Sequence, residues 1–378
     1  MIYLDYAAAT PVRREVKTAM DKAENCFANP GSKHDGGRTA KELLEDARKK
    51  VRCVLNANEK DKIIFTSSGT ESVNLALKGI AFANKTKGNH IITSKIEHKA
   101  VLETCKYLEN QRFSVTYLDV DIYGRVDPKE IEKAITPKTI LISIMYVNNE
   151  IGSIQPVKDI AAICSRHKIL FHTDACQAGN LNLDVQELGV DLLTLNSNKM
   201  YGPKGAGLLY VKEGVALQPL IHGGGQESGL RAGTENVSAI VGFSKALELT
   251  QSEKERENKR LKELQEYFIS QIQKIIPNTH LNGLAAERAP NNVHISFEGV
   301  DAETVLSYLD QEGICASAGS ACTANIIEPS HVLKAMKVPE RLARSSIRFT
   351  LGNGTTRKDI EKVVRVLMKI IASLRKIQ

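Results

Sequence analysis

The 378-residue sequence contains no tryptophan, and aromatic residues make up only 5% of it. A protein that binds nucleic acid by stacking bases needs aromatic side chains beside a basic stripe. Here the formal net charge is only +7, and basic residues alternate with acidic ones, as in the run Glu253-Lys254-Glu255-Arg256-Glu257. This pattern is typical of a solvated helix face and argues against nucleic-acid binding.

The sequence also lacks long apolar runs. No stretch approaches the roughly 18 consecutive apolar residues of a membrane span, and the first residues lack the basic and apolar regions of a secretory signal. Hydrophobic residues nevertheless make up 42% of the chain, with charges of both signs well mixed. We therefore expect a globular, cytoplasmic protein that does not enter a membrane and is large enough to bury a substantial core.

The seven cysteines form no C-x-x-C pair. Their odd number and wide spacing argue against a disulfide framework and against a zinc ribbon, and fit an intracellular setting. We expect most of them to be buried small hydrophobes. They are Cys26, Cys53, Cys105, Cys164, Cys176, Cys315 and Cys322.

The first two thirds of the chain alternate short β-branched runs with helical patterns. This alternation predicts βα units that form a mainly parallel, seven-stranded sheet. Most of the runs lack polar alternation, as strands covered on both faces do. The candidate strands are residues 63–65, 91–93, 114–118, 140–144, 169–172, 191–194 and 207–211.

The last third predicts a smaller α+β domain. A helical stretch from about 236 to 275 connects the two parts, followed by strands at 293–297 and 346–349 and by helices from about 302 and 358. We divide the chain into an N-terminal segment at 1–15 that packs with the small domain, a large domain at 16–255, and a small domain at 256–378.

Several turns after the predicted strands carry unusual residues, and ligands in open α/β sheets bind at such turns. Residues 66–72 are small and hydroxylated and open a helix, which suits a phosphate cradle, although Ser68 with Glu71 also matches a capping box. Asp174 could cap a helix, bind a metal or pair with a heterocyclic nitrogen. Lys199 is either a surface lysine or a Schiff-base lysine.

A metal site near Asp174 is not expected. Apart from His172, no carboxylate or histidine stands there at the spacing of a metal ligand, and we expect the His172 side chain to point to the opposite face of the strand. We therefore predict no metal in the resting protein.

In their order along the chain, these and further motifs resemble the cysteine desulfurase family, a branch of the class V aminotransferase-like pyridoxal-phosphate enzymes. The resemblance covers nearly the whole chain, and it implies fold type I, a pyridoxal 5'-phosphate cofactor, L-cysteine as substrate and a homodimer. The matching pieces are Tyr3-Leu4-Asp5-Tyr6-Ala7-Ala8, Gly69-Thr70-Glu71, Glu97-His98, Val147-Asn148-Asn149-Glu150-Ile151-Gly152, Asp174 with Gln177, Lys199 with Tyr201-Gly202-Pro203-Lys204-Gly205, Arg231-Ala232-Gly233-Thr234, Gly319-Ser320-Ala321-Cys322 and Ser345-Ser346-Ile347-Arg348-Phe349.

The resemblance implies a role for each residue around the cofactor ring. Lys199 would hold the cofactor covalently and shuttle the α-proton, and Asp174 would pair with the ring nitrogen. His98 would stack on the ring and exchange protons. Asn149 and Gln177 would hold the phenolic oxygen or the substrate.

The resemblance also assigns residues to the phosphate and to the substrate. Gly69 and Thr70 would bind the phosphate, together with the partner subunit's Thr234. Arg348 would take the substrate carboxylate, because its planar fork matches that group.

Cys322 is the predicted nucleophile. Its thiolate would attack the sulfur of the bound substrate, leaving a persulfide on Cys322 and releasing alanine. Cys315 lies in a strand-like segment and is interpreted as a core residue, and Cys176 as a small residue in the wall of the site. The persulfide would pass its sulfur to an iron–sulfur scaffold or another acceptor protein.

The chain departs from the family at the residues before the lysine. The family has Ser-x-His there, and both side chains help to hold the phosphate, whereas this sequence has Asn196 and Asn198. One alternative stays open for this reason: a binding partner of an iron–sulfur scaffold with weak or no catalysis, in which Cys322 is a ligand. Another reaction of the same branch, that of a selenocysteine lyase, also stays open, although Cys322 favours cysteine.

Overall fold

The computed structural model describes residues 1–283, 287–319 and 330–377. Cys322 lies outside the described residues. The strands are β1 Ile2–Tyr3, β2 Lys62–Thr66, β3 His90–Ser94, β4 Ser114–Leu118, β5 Thr139–Ser143, β6 Leu170–Asp174, β7 Leu192–Asn196, β8 Gly207–Val211, β9 Thr279–Leu281, β10 Asn292–Phe297, β11 Ile314–Cys315 and β12 Ser346–Thr350. The helices are α1 Arg14–Glu24, α2 Asp35–Val54, α3 Gly69–Ala83, α4 Lys99–Asn110, α5 Pro128–Ala134, α6 Val157–His167, α7 Val185–Leu188, α8 Val237–Ser252, α9 Lys254–Ile275, α10 Ala302–Gln311, α11 His331–Ala335, α12 Glu340–Ala343 and α13 Arg357–Ile377.

The predicted seven-stranded sheet is confirmed. Its strand order is β2-β8-β7-β6-β5-β3-β4. β8 runs antiparallel to both of its neighbours, while the pairs from β7 to β4 are all parallel. β3, β5 and β8 are buried along their whole length, which explains why their sequences show no polar alternation. Helices cover the sheet on both faces, as in a doubly wound fold.

A second, smaller sheet has the order β12-β10-β9 and is antiparallel. Helices α9, α10 and α13 pack against it around a separate apolar core. The helical connector predicted from 236 to 275 is two helices, α8 and α9, which break at Glu253. Leu247 belongs to the core of the large sheet and Leu261 to the core of the small sheet. The division at 255 stays a proposal, which this change of core supports.

The first ten residues run from the small sheet to the large one. β1 pairs in parallel with β11, and Asp5 forms an isolated bridge with Thr350 on β12. Leu4 is fully buried in the second core. Beyond it, the Thr10 amide donates to the carbonyl oxygen of Asn198, at the end of β7. The segment therefore contacts both parts of the chain.

The expectation that most cysteines are buried is wrong for the described ones. Cys105 and Cys164 are buried, while Cys53 is exposed and the rest are half-buried. Within the described ranges, no helix combines the length and the apolar character that a membrane crossing requires.

Candidate active site

One cavity of about 290 Å³ lies where β2, β3, β6 and β7 end, close to the small sheet. Its volume is near the lower end of the range for small-molecule sites. It brings together ten of the predicted site residues, which are Gly69, Thr70, His98, Asn149, Asp174, Gln177, Asn196, Asn198, Lys199 and Arg348. Residues far apart in sequence thus meet at the carboxyl ends of the strands, as the α/β pattern predicts.

The N-terminus of α3 forms one end of the cavity. Ser68 caps the helix by accepting from the Glu71 amide at 3.2 Å, and Glu71 in turn accepts from the Ser67 amide at 2.8 Å. The Ser68 half of the predicted capping box is present, while Glu71 accepts from the amide one residue before the N-cap; together the two bonds fix a helix end whose first amides have no partner within the helix. A side chain at Gly69 would lie 2.7 Å from Cys176 Sγ, so glycine is required for this close approach.

Asp174 ends β6 and is 7% exposed. One of its carboxylate oxygens accepts from the Cys176 amide at 3.0 Å, which orients the side chain at the cavity wall. Burial and Asp174 raise the pKa of the Cys176 thiol, so this cysteine is a neutral wall residue, in line with its interpretation from the sequence.

His172 lies on the same face of β6 as Asp174, because residues two apart in a strand share a face. The expectation that it points to the opposite face is wrong. Its two ring nitrogens bond the hydroxyls of Ser143 at 2.8 Å and Thr194 at 3.0 Å. Burial lowers the pKa of His172 to about 4, so the ring is neutral. Both nitrogens are engaged, which leaves neither for a metal.

His98 reaches the cavity from the turn between β3 and α4. It caps α4, and its Nδ1 accepts from the Ala100 amide at 3.1 Å. Because Nδ1 is an acceptor, the proton of a neutral ring is on Nε2. Among the described residues its side chain makes no other hydrogen bond, so Nε2 is the ring atom available to exchange a proton.

Glu97, directly before His98, is fully buried below the cavity. Its Oε1 accepts from the Ser94 hydroxyl at 2.7 Å and from the Met145 amide at 3.0 Å. Burial raises the pKa of Glu97 to about 8, and Asp174 adds to the effect. These bonds hold the turn that presents His98. The sequence indicated Glu97 only as part of the family motif.

Lys199 ends a short 3-10 turn, Ser197–Lys199, directly after β7. Its Nζ donates to the carbonyl oxygens of Ala7 at 2.8 Å and Ala8 at 2.6 Å. Gln177 also donates to Ala7, at 2.9 Å. The lysine is therefore inside the cavity rather than on the surface, and the N-terminal segment is part of its surroundings.

Asn196 and Asn198 line the same cavity as Gly69 and Thr70. A Cβ atom at Gly69 would lie 3.2 Å from the Asn196 Cβ, so Asn196 lies beside the N-terminus of α3. The Asn198 Oδ1 atom is buried and has no hydrogen-bond partner among the described residues. An amide beside a helix N-terminus can donate its N–H groups to an anion, although it carries no charge.

Arg348, on β12, is 2% exposed. One of its terminal nitrogens donates to Asp5 at 2.8 Å and the other donates to the carbonyl oxygen of Asn149 at 2.9 Å. Its Nε is buried and has no hydrogen-bond partner among the described residues. Asp5 and the Asn149 carbonyl thus hold the two terminal nitrogens in place.

Thr234 is the predicted cofactor residue that this cavity does not contain. It is exposed, in the segment after Arg231, whose guanidinium pairs with Glu71 at 2.9 Å. A role for Thr234 in the cavity of its own chain is therefore not supported. The sequence reasoning placed it in the site of a partner subunit, and that role stays a prediction.

The segment with Cys322 lies between Gly319 and Ser330, the nearest described residues. Ser330 donates to the buried Glu150 carboxylate. A side chain at Gly319 would lie 3.1 Å from that same carboxylate. Glu150 directly follows Asn149, so the described residues Gly319 and Ser330 lie close to the cavity.

Cys315 is half-buried on β11. Its interpretation as a core residue is therefore wrong.

Some lining residues were not predicted. Ala7, Ala8, Ala100, Met145 and Val147 complete the wall. Ala7 and Ala8 belong to the N-terminal motif, which was the only signal in the sequence that could have identified them.

The family model for aminotransferase class-V matches residues 2–363. The cysteine desulfurase IscS of Dictyoglomus turgidum is 51% identical over 378 residues, covering 100% of this chain and 96% of that protein. The cysteine desulfurase IscS of Methanosarcina thermophila is 51% identical over 377 residues, covering 99% of this chain and 93% of that protein.

Solved structures agree with these relatives. A NifS-like protein superimposes with a TM-score of 0.93 at 36% identity, covering 98% of this chain and 99% of that one. A NifS-like protein from Rickettsia africae gives a TM-score of 0.90 at 32% identity, with coverages of 98% and 99%. The protein SspA, solved in complex with cysteine, gives 0.83 at 38% identity, with coverages of 93% and 99%.

These comparisons confirm the predicted fold type I and the predicted pyridoxal-phosphate cofactor at the level of the family. The two IscS relatives match over nearly the full length of this chain, and at 51% identity proteins share both fold and family. The chain therefore belongs to the class-V aminotransferase family and, within it, to the cysteine desulfurases.

Proposed function

We propose that this protein is a pyridoxal-phosphate-dependent cysteine desulfurase that converts L-cysteine to L-alanine and a persulfide on Cys322. The observation that carries the proposal is a single cavity that holds Lys199, Asp174, His98 and Arg348 beside the N-terminus of α3. The relatives named as cysteine desulfurases support the same reaction.

The cavity residues fit the cofactor. Gly69 leaves the helix end open where a Cβ atom would collide with Cys176 Sγ, so the first amides of α3 and the Thr70 hydroxyl offer donors that suit a phosphate. Thr70, Asn196 and Asn198 would hold the phosphate with the helix amides. Pyridoxal phosphate supplies an aldehyde that condenses with amines and a ring that accepts electrons.

Three side chains of this chain would act at the ring. The Asp174 carboxylate favours a protonated ring nitrogen, which makes the ring a better electron acceptor. Lys199 Nζ would hold the cofactor and then move the proton of the substrate α-carbon. His98 lines the cavity, and its Nε2 would exchange a second proton. Gln177 and Asn149 would orient the phenolic oxygen or the substrate.

Arg348 would bind the substrate carboxylate. Its guanidinium is fixed by Asp5 and by the Asn149 carbonyl, so little side-chain freedom is lost when the substrate binds. Each terminal nitrogen has a second N–H besides the one that it donates to Asp5 or Asn149, and these N–H groups would bind the carboxylate. A planar, preoriented fork selects a carboxylate over a neutral group.

The sulfur step uses Cys322. Its thiolate attacks the substrate sulfur, so that a sulfur–sulfur bond forms while the carbon–sulfur bond breaks. The electron pair of that bond stays with the carbon skeleton, which takes up protons and leaves as L-alanine. The persulfide then donates its outer sulfur to an acceptor protein, which we propose is an iron–sulfur scaffold.

We further propose a homodimer in the cytoplasm. Thr234 is exposed and does not line the cavity of its own chain, which suits a contact with a partner subunit's phosphate site. The described cysteines are all free thiols, as the proposed thiolate chemistry requires of the compartment.

The experiment is borohydride reduction of the cofactor-loaded protein, followed by peptide mapping. We expect the reduced adduct on Lys199. The Lys204→Ala variant is the matched control, because Lys204 is an exposed lysine in the same loop. An adduct on Lys204, or no adduct in saturated protein, would refute the assignment. Alanine formation from L-cysteine then tests the reaction itself.

A further inference from the structure

Thr10 makes three hydrogen bonds to the turn that carries Lys199. Its amide donates to the Asn198 carbonyl oxygen at 2.9 Å, and its hydroxyl donates to the same oxygen at 3.1 Å. The hydroxyl also accepts from the Tyr201 amide at 2.7 Å. Thr10 therefore bonds the residue one place before Lys199 and the residue two places after it.

The turn needs such support. Tyr201 has a φ of 61°, in the left-handed region that disfavours bulky side chains. It is also 7% exposed, so an amide without a partner there would be costly. The Tyr201 hydroxyl accepts from the Asn353 amide at 3.0 Å, which fixes its ring but not its backbone. The Thr10 hydroxyl is the recorded acceptor of that backbone amide.

The rest of the segment fixes where Thr10 lies. The Ala7 amide donates to the Thr350 hydroxyl at 2.9 Å, which ties the segment to β12. Ala7 and Ala8 accept from Lys199 Nζ itself. The segment thus contacts both the amine of the lysine and the backbone on either side of it.

We propose that Thr10 is a positioning residue for Lys199: its hydroxyl fixes the turn so that the amine reaches the cofactor aldehyde. This proposal rests on the proposed function, in which Lys199 holds the cofactor. The bond from the Thr10 amide to the Asn198 carbonyl persists when only the hydroxyl is removed, so Asn198 keeps its place. The proposal therefore predicts that the Thr10 hydroxyl contributes to cofactor affinity through the covalent link to Lys199.

A double-mutant cycle tests this prediction. Thr10→Val removes the hydroxyl at similar volume, Thr10→Ser keeps it, and each is made with and without Lys199→Ala. The dissociation constant of pyridoxal phosphate is measured by equilibrium dialysis, which reports non-covalent binding as well. Thr18→Val is the matched control, because the Thr18 hydroxyl is exposed and bonds only the Arg14 carbonyl of its own helix.

We expect Thr10→Val to weaken cofactor binding by about tenfold when Lys199 is present, because one buried amide loses its acceptor. Thr10→Ser and Thr18→Val should bind as the original does. In the Lys199→Ala background, Thr10→Val should make no difference. An equal loss in both backgrounds, or no loss in either, would overturn the proposal.

Two further measurements keep the outcome clear. If Thr10→Val does not fold, Thr10→Ala removes the same hydroxyl without the second methyl group and enters the same cycle. If Lys199→Ala binds the cofactor as tightly as the original protein, and borohydride leaves no adduct on Lys199, the proposed function fails rather than the role of Thr10.

Discussion

Asp5 is the charged partner of Arg348, and Asp5→Asn tests how the site binds a carboxylate. The two side chains are 17% and 2% exposed, and their bond is 2.8 Å long. Asparagine keeps an oxygen that can accept this bond and removes only the charge. We expect the variant to bind carboxylate ligands more tightly, because the Arg348 charge is no longer compensated inside the protein.

The magnitude follows from Coulomb's law. Two carboxylates that share one guanidinium and are about 5 Å apart repel by about 3 kcal/mol at an effective dielectric constant of about 20. Relaxation of Arg348 lowers this repulsion, so its removal should make the binding free energy of a carboxylate ligand more favourable by about 1 to 3 kcal/mol. The dissociation constant of a carboxylate ligand should therefore fall by about 5- to 150-fold.

L-Alanine is the suitable ligand, because it carries the substrate's carboxylate and has no sulfur to transfer. Its binding is titrated by the absorbance of the bound cofactor. L-Alaninamide, which lacks the carboxylate charge, should show no such gain in Asp5→Asn. Asp119→Asn is the matched control, since Asp119 pairs with Lys95 on the surface.

A purely structural role for Asp5 gives the opposite sign. If the carboxylate serves only to hold Arg348 in place, Asp5→Asn releases the guanidinium and weakens L-alanine binding. Equal or weaker binding of L-alanine, or a gain of the same size for L-alaninamide, would refute the electrostatic argument.

Four further predictions follow. Burial raises the pKa of Glu97 from 4.5 to about 8. The protonated side chain therefore stabilises the folded protein fully below pH 4.5, the pKa in the unfolded chain, and this stabilisation is lost as the pH rises to 8. Between pH 5 and 8 the unfolding midpoint of Glu97→Gln should therefore fall less than that of the original protein. Gly69→Ala should weaken pyridoxal phosphate binding about tenfold in dialysis, and Cys176→Ala should restore it, because the added methyl group meets Cys176 Sγ. Cys322→Ala should abolish sulfide release from L-cysteine while L-cysteine still changes the cofactor spectrum; retained release would move the nucleophile elsewhere. Asn198→His should tighten pyridoxal phosphate binding by about tenfold in the same dialysis, through a charge-assisted contact to the phosphate; an unchanged constant would show that this position does not bind the phosphate.

The sheet could be predicted from the sequence because most of its strands are buried on both faces. Residues 140–144 are apolar except for Ser143, and the structure forms β5 there as Thr139–Ser143. The break of the 236–275 helix could not be predicted in the same way. Both of its halves have helical periodicity, and the helices part at Glu253 without a proline or glycine.

The cavity was predictable for a different reason. Asp174 and Lys199 follow neighbouring parallel strands, and the carboxyl ends of such strands meet at one edge. The prediction that His172 and Asp174 point to opposite faces of β6 was wrong, because residues two apart in a strand share a face. The roles of Asp5 and Glu97 could not be found this way, because they depend on partners that only the folded chain brings near. Asp5 meets Arg348 across 343 positions.

The absence of a phosphate-binding histidine becomes less important in view of this geometry. The start of α3 offers donors that do not depend on residue 198: its first amides have no partner within the helix, and Gly69 leaves room beside them. In the proposed function the position of the lysine matters as well, since a covalent link forms only where its amine reaches the aldehyde. Thr10 bonds the turn that carries Lys199, and the same short segment carries Asp5, which bonds Arg348. The first ten residues therefore contact two charged groups that lie far from them in the sequence.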